Sequence, residues 1–217
     1  VKKIRAILFD LDGTLLDSAP DLVAALNWVR ASEGLSTLDV HPMSRHVSRG
    51  ANGLIQAGMP AAGPAQMEIW KSRLLSRYSE HSFRQSRLYE GVPELLGFLE
   101  AACIPWGIVT NKSEALTQPI LQALELSEKA GCVVCGDTLD LNKPDPAPVK
   151  YACELLKMPE GNTLFAGDDM RDLQAGRAAG TMTAVIHYGY GDHDLLDELV
   201  SGSEQIHHPS DIVLLLK

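Results

Sequence analysis

Two hydrophobic rhythms alternate along the chain. Ile4-Arg5-Ala6-Ile7-Leu8-Phe9 is a short, mostly apolar run rich in strand formers, the pattern of a strand buried on both faces. From Ser18 the rhythm turns helical: Leu22, Leu26 and Val29 recur at helical spacing until Gly34 interrupts them. Ser18-Ala19-Pro20-Asp21 reads as the start of that helix, with an N-cap serine, an early proline and an acid at the third position. Residues 41–63 are less regular and predict one short helix around Leu54-Ile55. Met67, Trp70, Leu74 and Tyr78 then fall on one stripe between Pro64 and His81, which marks a helix packed on a core.

From Leu88 strands and helices alternate. Val92-Pro93-Glu94 opens a helix carrying Leu95, Leu96 and Leu99, and Trp106 to Thr110 is a strand. Ser113 is placed to cap a helix reaching about Leu124, with Pro119 inside it. Cys132 to Cys135 is the next strand, and Ala147 to Lys157 the next helix. Thr163 to Gly167 is a strand, Arg171 to Ala179 a helix, Thr183 to Ile186 a last strand, and Asp211 to Leu216 a short closing helix. Such alternation predicts an α/β fold with a parallel sheet flanked by helices, formed by residues 1–17 and 88–217. Residues 18–87 are then a helical insertion, and neither internal repeats nor low-complexity linkers are seen.

Composition changes this picture little. Of 217 residues, 45% are hydrophobic and 22% charged, as in ordinary globular chains. The net charge of −9 argues against nucleic acid or an anionic membrane as main partner, so an anionic substrate requires locally concentrated positive charge. Cys103, Cys132, Cys135 and Cys153 are few and scattered, which suits a reducing compartment. Cys132-Val-Val-Cys135 has the C-x-x-C spacing, but it lies in a strand without a second pair and is read as structural. No signal-peptide pattern and no bilayer-length apolar run is found, so a soluble cytoplasmic protein is expected.

The candidate chemistry starts where the first strand ends, at Asp10-Leu11-Asp12-Gly13-Thr14. Side chains two apart on an extended chain point the same way, so Asp10 and Asp12 face one pocket beyond the strand's carboxyl end. Gly13 permits the sharp turn that follows. Two carboxylates this close call for a cation or a shared proton. Alone, an Asp-x-Asp-Gly turn is an ordinary loop, but three further groups follow later strands: Thr110-Asn111, Lys143, and Gly167-Asp168-Asp169-Met170-Arg171-Asp172. Together they supply what phosphate monoester hydrolysis needs, namely a nucleophile, an acid for the leaving oxygen and positive charge on the phosphoryl group. Asp10 is the candidate nucleophile and Asp12 the candidate acid and base. Asp168 with Asp10 offers the hard oxygen ligands that Mg²⁺ prefers, Lys143 adds a point charge, and Thr110 with nearby backbone N–H groups holds phosphoryl oxygens.

Asp10-Leu-Asp-Gly-Thr14, Val109-Thr110-Asn111, Lys143-Pro144-Asp145-Pro146 and Gly167-Asp168-Asp169-x-x-Asp172 resemble, in order, the four motifs of the haloacid dehalogenase superfamily of phosphatases. The resemblance spans nearly the whole chain. It implies a Rossmann-like core with an α-helical cap inserted at 18–87, a Mg²⁺ cofactor, and an aspartyl-phosphate intermediate on Asp10. It also implies that Asp10, the backbone carbonyl of Asp12 and Asp168 bind the metal, with Asp169 and Asp172 holding metal-bound water or Lys143. Within the family the chain is similar to phosphoglycolate phosphatases, which makes 2-phosphoglycolate the first expected substrate. The run from Gly167 to Gly180, with Tyr188-Gly-Tyr190, also resembles N-acetylmuramic acid 6-phosphate phosphatases. Asn142 and Cys103 depart from the commoner small residue and glycine without touching the chemistry. Asp12 argues against dehalogenation, since true dehalogenases lack that second aspartate.

Specificity is expected in the helical insertion, where Arg45 or Arg49 would reach a substrate carboxylate or sugar oxygen; an exposed basic stretch is the plainer reading. Two rivals share much of the pattern. A β-phosphoglucomutase-like mutase carries the same motifs, and a receiver-type phospho-switch also gathers aspartates, a threonine and a lysine at one sheet edge. A receiver, however, has no helical insertion after its first strand. The sequence leaves the oligomeric state open.

Overall fold

A computed structural model of the chain describes residues 3–191 and 202–216. The chain forms two compact units, Val1–Leu15 with Leu88–Lys217, and Leu16–Arg87.

The first unit holds a parallel sheet. Its strands are β1 (Ala6–Phe9), β4 (Trp106–Val109), β5 (Cys132–Val134), β6 (Thr163–Gly167), β7 (Met182–Ile186) and β8 (Glu204–Ile206), in the order β5-β4-β1-β6-β7-β8. All five pairings are parallel, with Phe9 opposite Ile108 of β4 and Ala166 of β6. Among the described residues the α-helices of this unit are α5 (Val92–Ala101), α6 (Glu114–Ala123), α7 (Ala147–Leu155), α8 (Met170–Ala179) and α9 (Ser210–Leu215). β1 and β6 are buried along their whole length, as the continuous apolar runs require. One core cluster joins Leu8, Val109, Val134 and Phe165 of the sheet to Val149, Ala152 and Cys153 of α7 and Ala175 and Ala179 of α8. Truncating a residue such as Phe165 to alanine there costs about 3–5 kcal/mol.

The second unit is mainly α1 (Ala19–Ser32), α2 (Val40–Ser44), α3 (Gly50–Gly58) and α4 (Pro64–His81). The short strands β2 (Leu16–Asp17) and β3 (Arg87–Leu88), where the chain leaves and returns, pair as a two-stranded sheet. Leu22, Leu26 and Val29 of α1 and Trp70, Leu74 and Tyr78 of α4 are buried as their spacing predicts, with Met67 partly covered.

Several local readings differ from the outcome. Residues 41–63 carry two helices rather than one, because Val40-His-Pro-Met-Ser44 is too short to show a period. β8 escapes pattern reading because only Ile206 of its three residues is buried. Ser18 precedes α1 in a helical rather than extended conformation (φ −99°, ψ −5°), and its hydroxyl makes no capping bond. Asp21, instead of capping, accepts from the backbone N–H groups of Arg84, Gln85 and Ser86 and from the Ser86 hydroxyl at 2.6–3.1 Å, tying α1 to the end of its own unit. At α6 the Ser113 hydroxyl is likewise uninvolved, and the Glu114 N–H donates to Asp137 at 2.8 Å. The four cysteines are free thiols; burial pushes the Cys132 thiol up to about 12, the state of an inert packing group.

Candidate active site

Asp10, Thr110 and Asp168 are each the first residue after a strand, and β4, β1 and β6 are neighbours. Parallel register therefore delivers all three to the same carboxyl edge. Lys143, from the loop between β5 and α7, reaches this edge because Asn111 clamps its backbone. The Asn111 carboxamide donates to Lys143 O (2.9 Å) and accepts from Lys143 N–H (3.1 Å). The Asn111 side chain, one of the expected phosphate-binding residues with Thr110, spends its amide N–H and its carbonyl oxygen on holding that loop.

The Lys143 ammonium is buried and donates to Asp10 Oδ1 (2.7 Å), Asp172 Oδ1 (2.7 Å) and the Val109 carbonyl (2.8 Å), beneath the Phe165 ring at 5.5 Å. An ammonium has three N–H donors, so all are engaged within the protein and Lys143 acts on a ligand as a point charge. Burial alone would disfavour its charge, but the Asp10 and Asp172 carboxylates outweigh that and hold its pKa above the ordinary lysine range.

Asp10, Asp168 and Asp172 each offer an oxygen, all within 4.8 Å of one another. Asp168 is 1% exposed; its Oδ1 accepts from the Thr14 hydroxyl (3.2 Å) and its Oδ2 from the Tyr190 N–H (2.9 Å). Burial, then the Asp10 and Asp172 charges, push its carboxyl well above the usual range. Asp172 is also raised, to about 7: burial and the neighbouring carboxylates prevail over Lys143. Three buried carboxylates gathered this closely, made of hard oxygen donors, fit a divalent cation between them. Formal charge agrees. Asp10, Asp12, Asp168, Asp169 and Asp172 face Lys112, Lys143 and Arg171, an excess of two negative charges.

Asp172 thus pairs with Lys143 and also offers an oxygen to the cluster. It also serves α8, where its Oδ2 accepts from Asp169 N–H (3.1 Å) while Asp169 Oδ1 accepts from Arg171 N–H (2.9 Å), a reciprocal capping box. The Asp12 carboxylate lies outside the cluster. Both its oxygens are 2.9 Å from the Lys112 Nζ. The Thr110 hydroxyl oxygen accepts from Lys112 N–H (3.2 Å), leaving the hydroxyl proton to donate. In the helical unit Arg45 and Arg49 are exposed around His46, whose pKa is lowered by burial and then by those two charges.

Two glycine positions explain how tightly the acidic turns fit. Gly13 has φ +92°, and a Cβ there would lie 2.3 Å from Asp168 Oδ2. A Cβ on Gly189 would lie 2.2 Å from the Gly13 carbonyl, so the loop bearing Tyr190 presses directly on both turns. Sequence reasoning missed Thr14, Lys112, Arg171 and the Tyr190 N–H. Lys112 had a signal, a cation directly after Thr110-Asn111; a backbone N–H donor from a distant loop leaves none.

Comparison with known proteins agrees with this geometry. Residues 7–186 match the model of the haloacid dehalogenase-like hydrolase family. The chain is 43% identical over 190 residues to the N-acetylmuramic acid 6-phosphate phosphatase of Pseudomonas aeruginosa, covering 87% of this chain and 84% of the relative. It is 37% identical to the phosphoglycolate phosphatase of Xanthomonas campestris pv. campestris, over 95% of this chain and 96% of that one. The crystal structure of a predicted phosphoglycolate phosphatase from Haemophilus somnus superposes with a TM-score of 0.86 at 27% identity, over 99% and 98% of the two chains. The chain therefore belongs to the haloacid dehalogenase-like hydrolase family. It is a phosphatase of that family. No helix among the described residues is long and apolar enough to cross a membrane.

Proposed function

We propose that the protein is a Mg²⁺-dependent phosphomonoesterase that carries the phosphoryl group through Asp10, and that its substrate is a small phosphorylated carboxylic acid. The observation that carries this reading is the Asp10 carboxylate, braced by Lys143 beside Asp168 and Asp172. Asp10, Asp168 and Asp172 would hold the ion with the Asp12 carbonyl, and when bound it supplies the charge that lets an anionic nucleophile meet an anionic phosphate. Asp10 attacks phosphorus as Asp12 gives its proton to the departing oxygen. Asp12 then takes a proton from the water that cleaves the aspartyl phosphate. The Thr110 hydroxyl donates to a phosphoryl oxygen, and Lys143 keeps Asp10 aimed.

Residues 18–87 serve as a cap over the substrate, with Arg45 and Arg49 taking its carboxylate. N-acetylmuramic acid 6-phosphate and 2-phosphoglycolate both pair a phosphate monoester with a carboxylic acid. The relatives at 43% and 39% identity favour the first, and those at 37% and 38% the second. The reaction suits a cytoplasmic enzyme. Phosphate release should be measured over a panel holding both compounds, with Mg²⁺ and with chelator. The expected result is ion-dependent release, with kcat/KM highest on one of the two. A phosphoenzyme without turnover would point to a phospho-switch, and a migrated phosphate in the phosphorus NMR spectrum to a mutase.

A further inference from the structure

β1 and β4 pair with Phe9 opposite Ile108, so the turns that follow them leave the sheet side by side. Asp12 is three residues past Phe9 and Lys112 four past Ile108, which brings their side chains together. The contact is symmetric: the Lys112 ammonium lies 2.9 Å from each Asp12 oxygen. Both groups are largely shielded, the lysine side chain 6% exposed and the aspartate 17%. The backbone of Lys112 is fixed as well, its N–H donating to the Thr110 hydroxyl (3.2 Å) and its carbonyl accepting from Gly136 N–H (2.8 Å). The site therefore holds two differently used ammonium groups. Lys143 braces the nucleophile, while Lys112 grips the other carboxylate of the same turn.

We propose that Lys112 is the positioning residue of the acid and base, fixing the Asp12 side chain where its carboxylic acid form hands a proton to the leaving oxygen and its carboxylate form later takes one from water. This rests on the roles given above to Asp10 and Asp12. In the first step the Asp10 oxygen bonds to phosphorus, the bond from phosphorus to the ester oxygen breaks, and that oxygen receives the Asp12 proton. In the second, water bonds to phosphorus and gives its proton to Asp12 as the Asp10–phosphorus bond breaks. Lys112 keeps its own protons throughout. A carboxylate held by both oxygens has one orientation, and proton transfer requires that orientation.

Lys112→Met keeps the length and burial of the side chain and removes the charge; Lys112→Arg keeps a donor able to grip a carboxylate. Both, with Asp12→Asn and the Lys112→Met/Asp12→Asn double variant, should be assayed on an alkyl phosphate, whose leaving oxygen needs a proton, and on p-nitrophenyl phosphate, whose leaving group does not. Lys112→Met should lower kcat on the alkyl phosphate by about 10–100-fold with KM nearly unchanged. On p-nitrophenyl phosphate it should give a burst of p-nitrophenolate followed by slow turnover. Lys112→Arg should recover part of the loss, and the double variant should be no slower than Asp12→Asn. Effects that multiply in the double variant, or a Lys112→Met defect confined to KM, would overturn the inference and make Lys112 a substrate contact. Full activity of Asp12→Asn would instead overturn the underlying roles. Circular dichroism and Mg²⁺ affinity by calorimetry, unchanged in Lys112→Met, separate positioning from loss of fold.

Discussion

The two units handle charge in opposite ways. In the sheet unit the charged groups of the site are shielded and held by named partners: Lys143 between Asp10 and Asp172, Asp168 between Thr14 and Tyr190, Asp12 on Lys112. In the helical unit Arg45 and Arg49 stand exposed, and the buried Asp21 is held by backbone N–H groups and a serine hydroxyl, an anchor of its own unit. Residues 16–87 carry eight Lys and Arg against six Asp and Glu; the remainder carries 11 against 22. Bond-making chemistry needs groups whose geometry is set before substrate arrives, which burial and saturated hydrogen bonds provide. Recognition of one metabolite among many tolerates an exposed, changeable surface.

That contrast is broken most severely at Asp10. Asp10→Asn should lower kcat by about 10³-fold or more on every phosphate ester while the far-ultraviolet spectrum stays native. Gly13→Ala should come next. Its Cβ would collide with Asp168 Oδ2, so Mg²⁺ affinity by calorimetry should fall by about 10–100-fold. Arg45→Ala and Arg49→Ala should leave p-nitrophenyl phosphate hydrolysis intact and raise KM for the natural substrate by about 10-fold, the worth of a hydrogen bond to a charged group. Equal losses on both substrates would move the arginines from recognition into the chemistry.

The smallest effect is on stability. The Asp168 and Asp172 carboxyls have native pKa values above their unfolded ones, so the native state binds protons that the unfolded state has released. Their contribution is fully present below the ordinary carboxylate range and is lost as pH rises through the native values, about 7 for Asp172. The Tm of metal-free protein should therefore fall between pH 5 and 8, by about 2–4 °C for each kcal/mol lost, and Mg²⁺ should remove most of that slope.

Much of this was legible before any coordinates. Continuous apolar runs gave β1, β4 and β6 because strands buried on both faces leave a local signature, and the polar groups directly after them marked the site. The same patterning fails where the signal is not local. Edge strand β8 is too polar, and the helix starts at Ser18 and Ser113 carry serines whose expected bonds are made by other groups or not at all. Asn111 was recognisable as a site residue, but whether its amide meets a phosphate or the Lys143 backbone depends on loops joined only by folding. Asp172 was expected to hold metal-bound water or Lys143; it pairs with Lys143, caps α8 and also lies in the carboxylate cluster, three contacts that only folding brings together.

The most direct test is to look for the phosphoryl group on the protein. Asp12→Asn, incubated with p-nitrophenyl phosphate and Mg²⁺ and quenched in acid, forms the phosphoenzyme without needing an acid for the leaving group and then lacks the base to cleave it. Mass spectrometry of the digest should find the phosphoryl group on Asp10. A phosphoryl group on any other residue, or sustained release of phosphate with Asp10 never modified, would contradict the account.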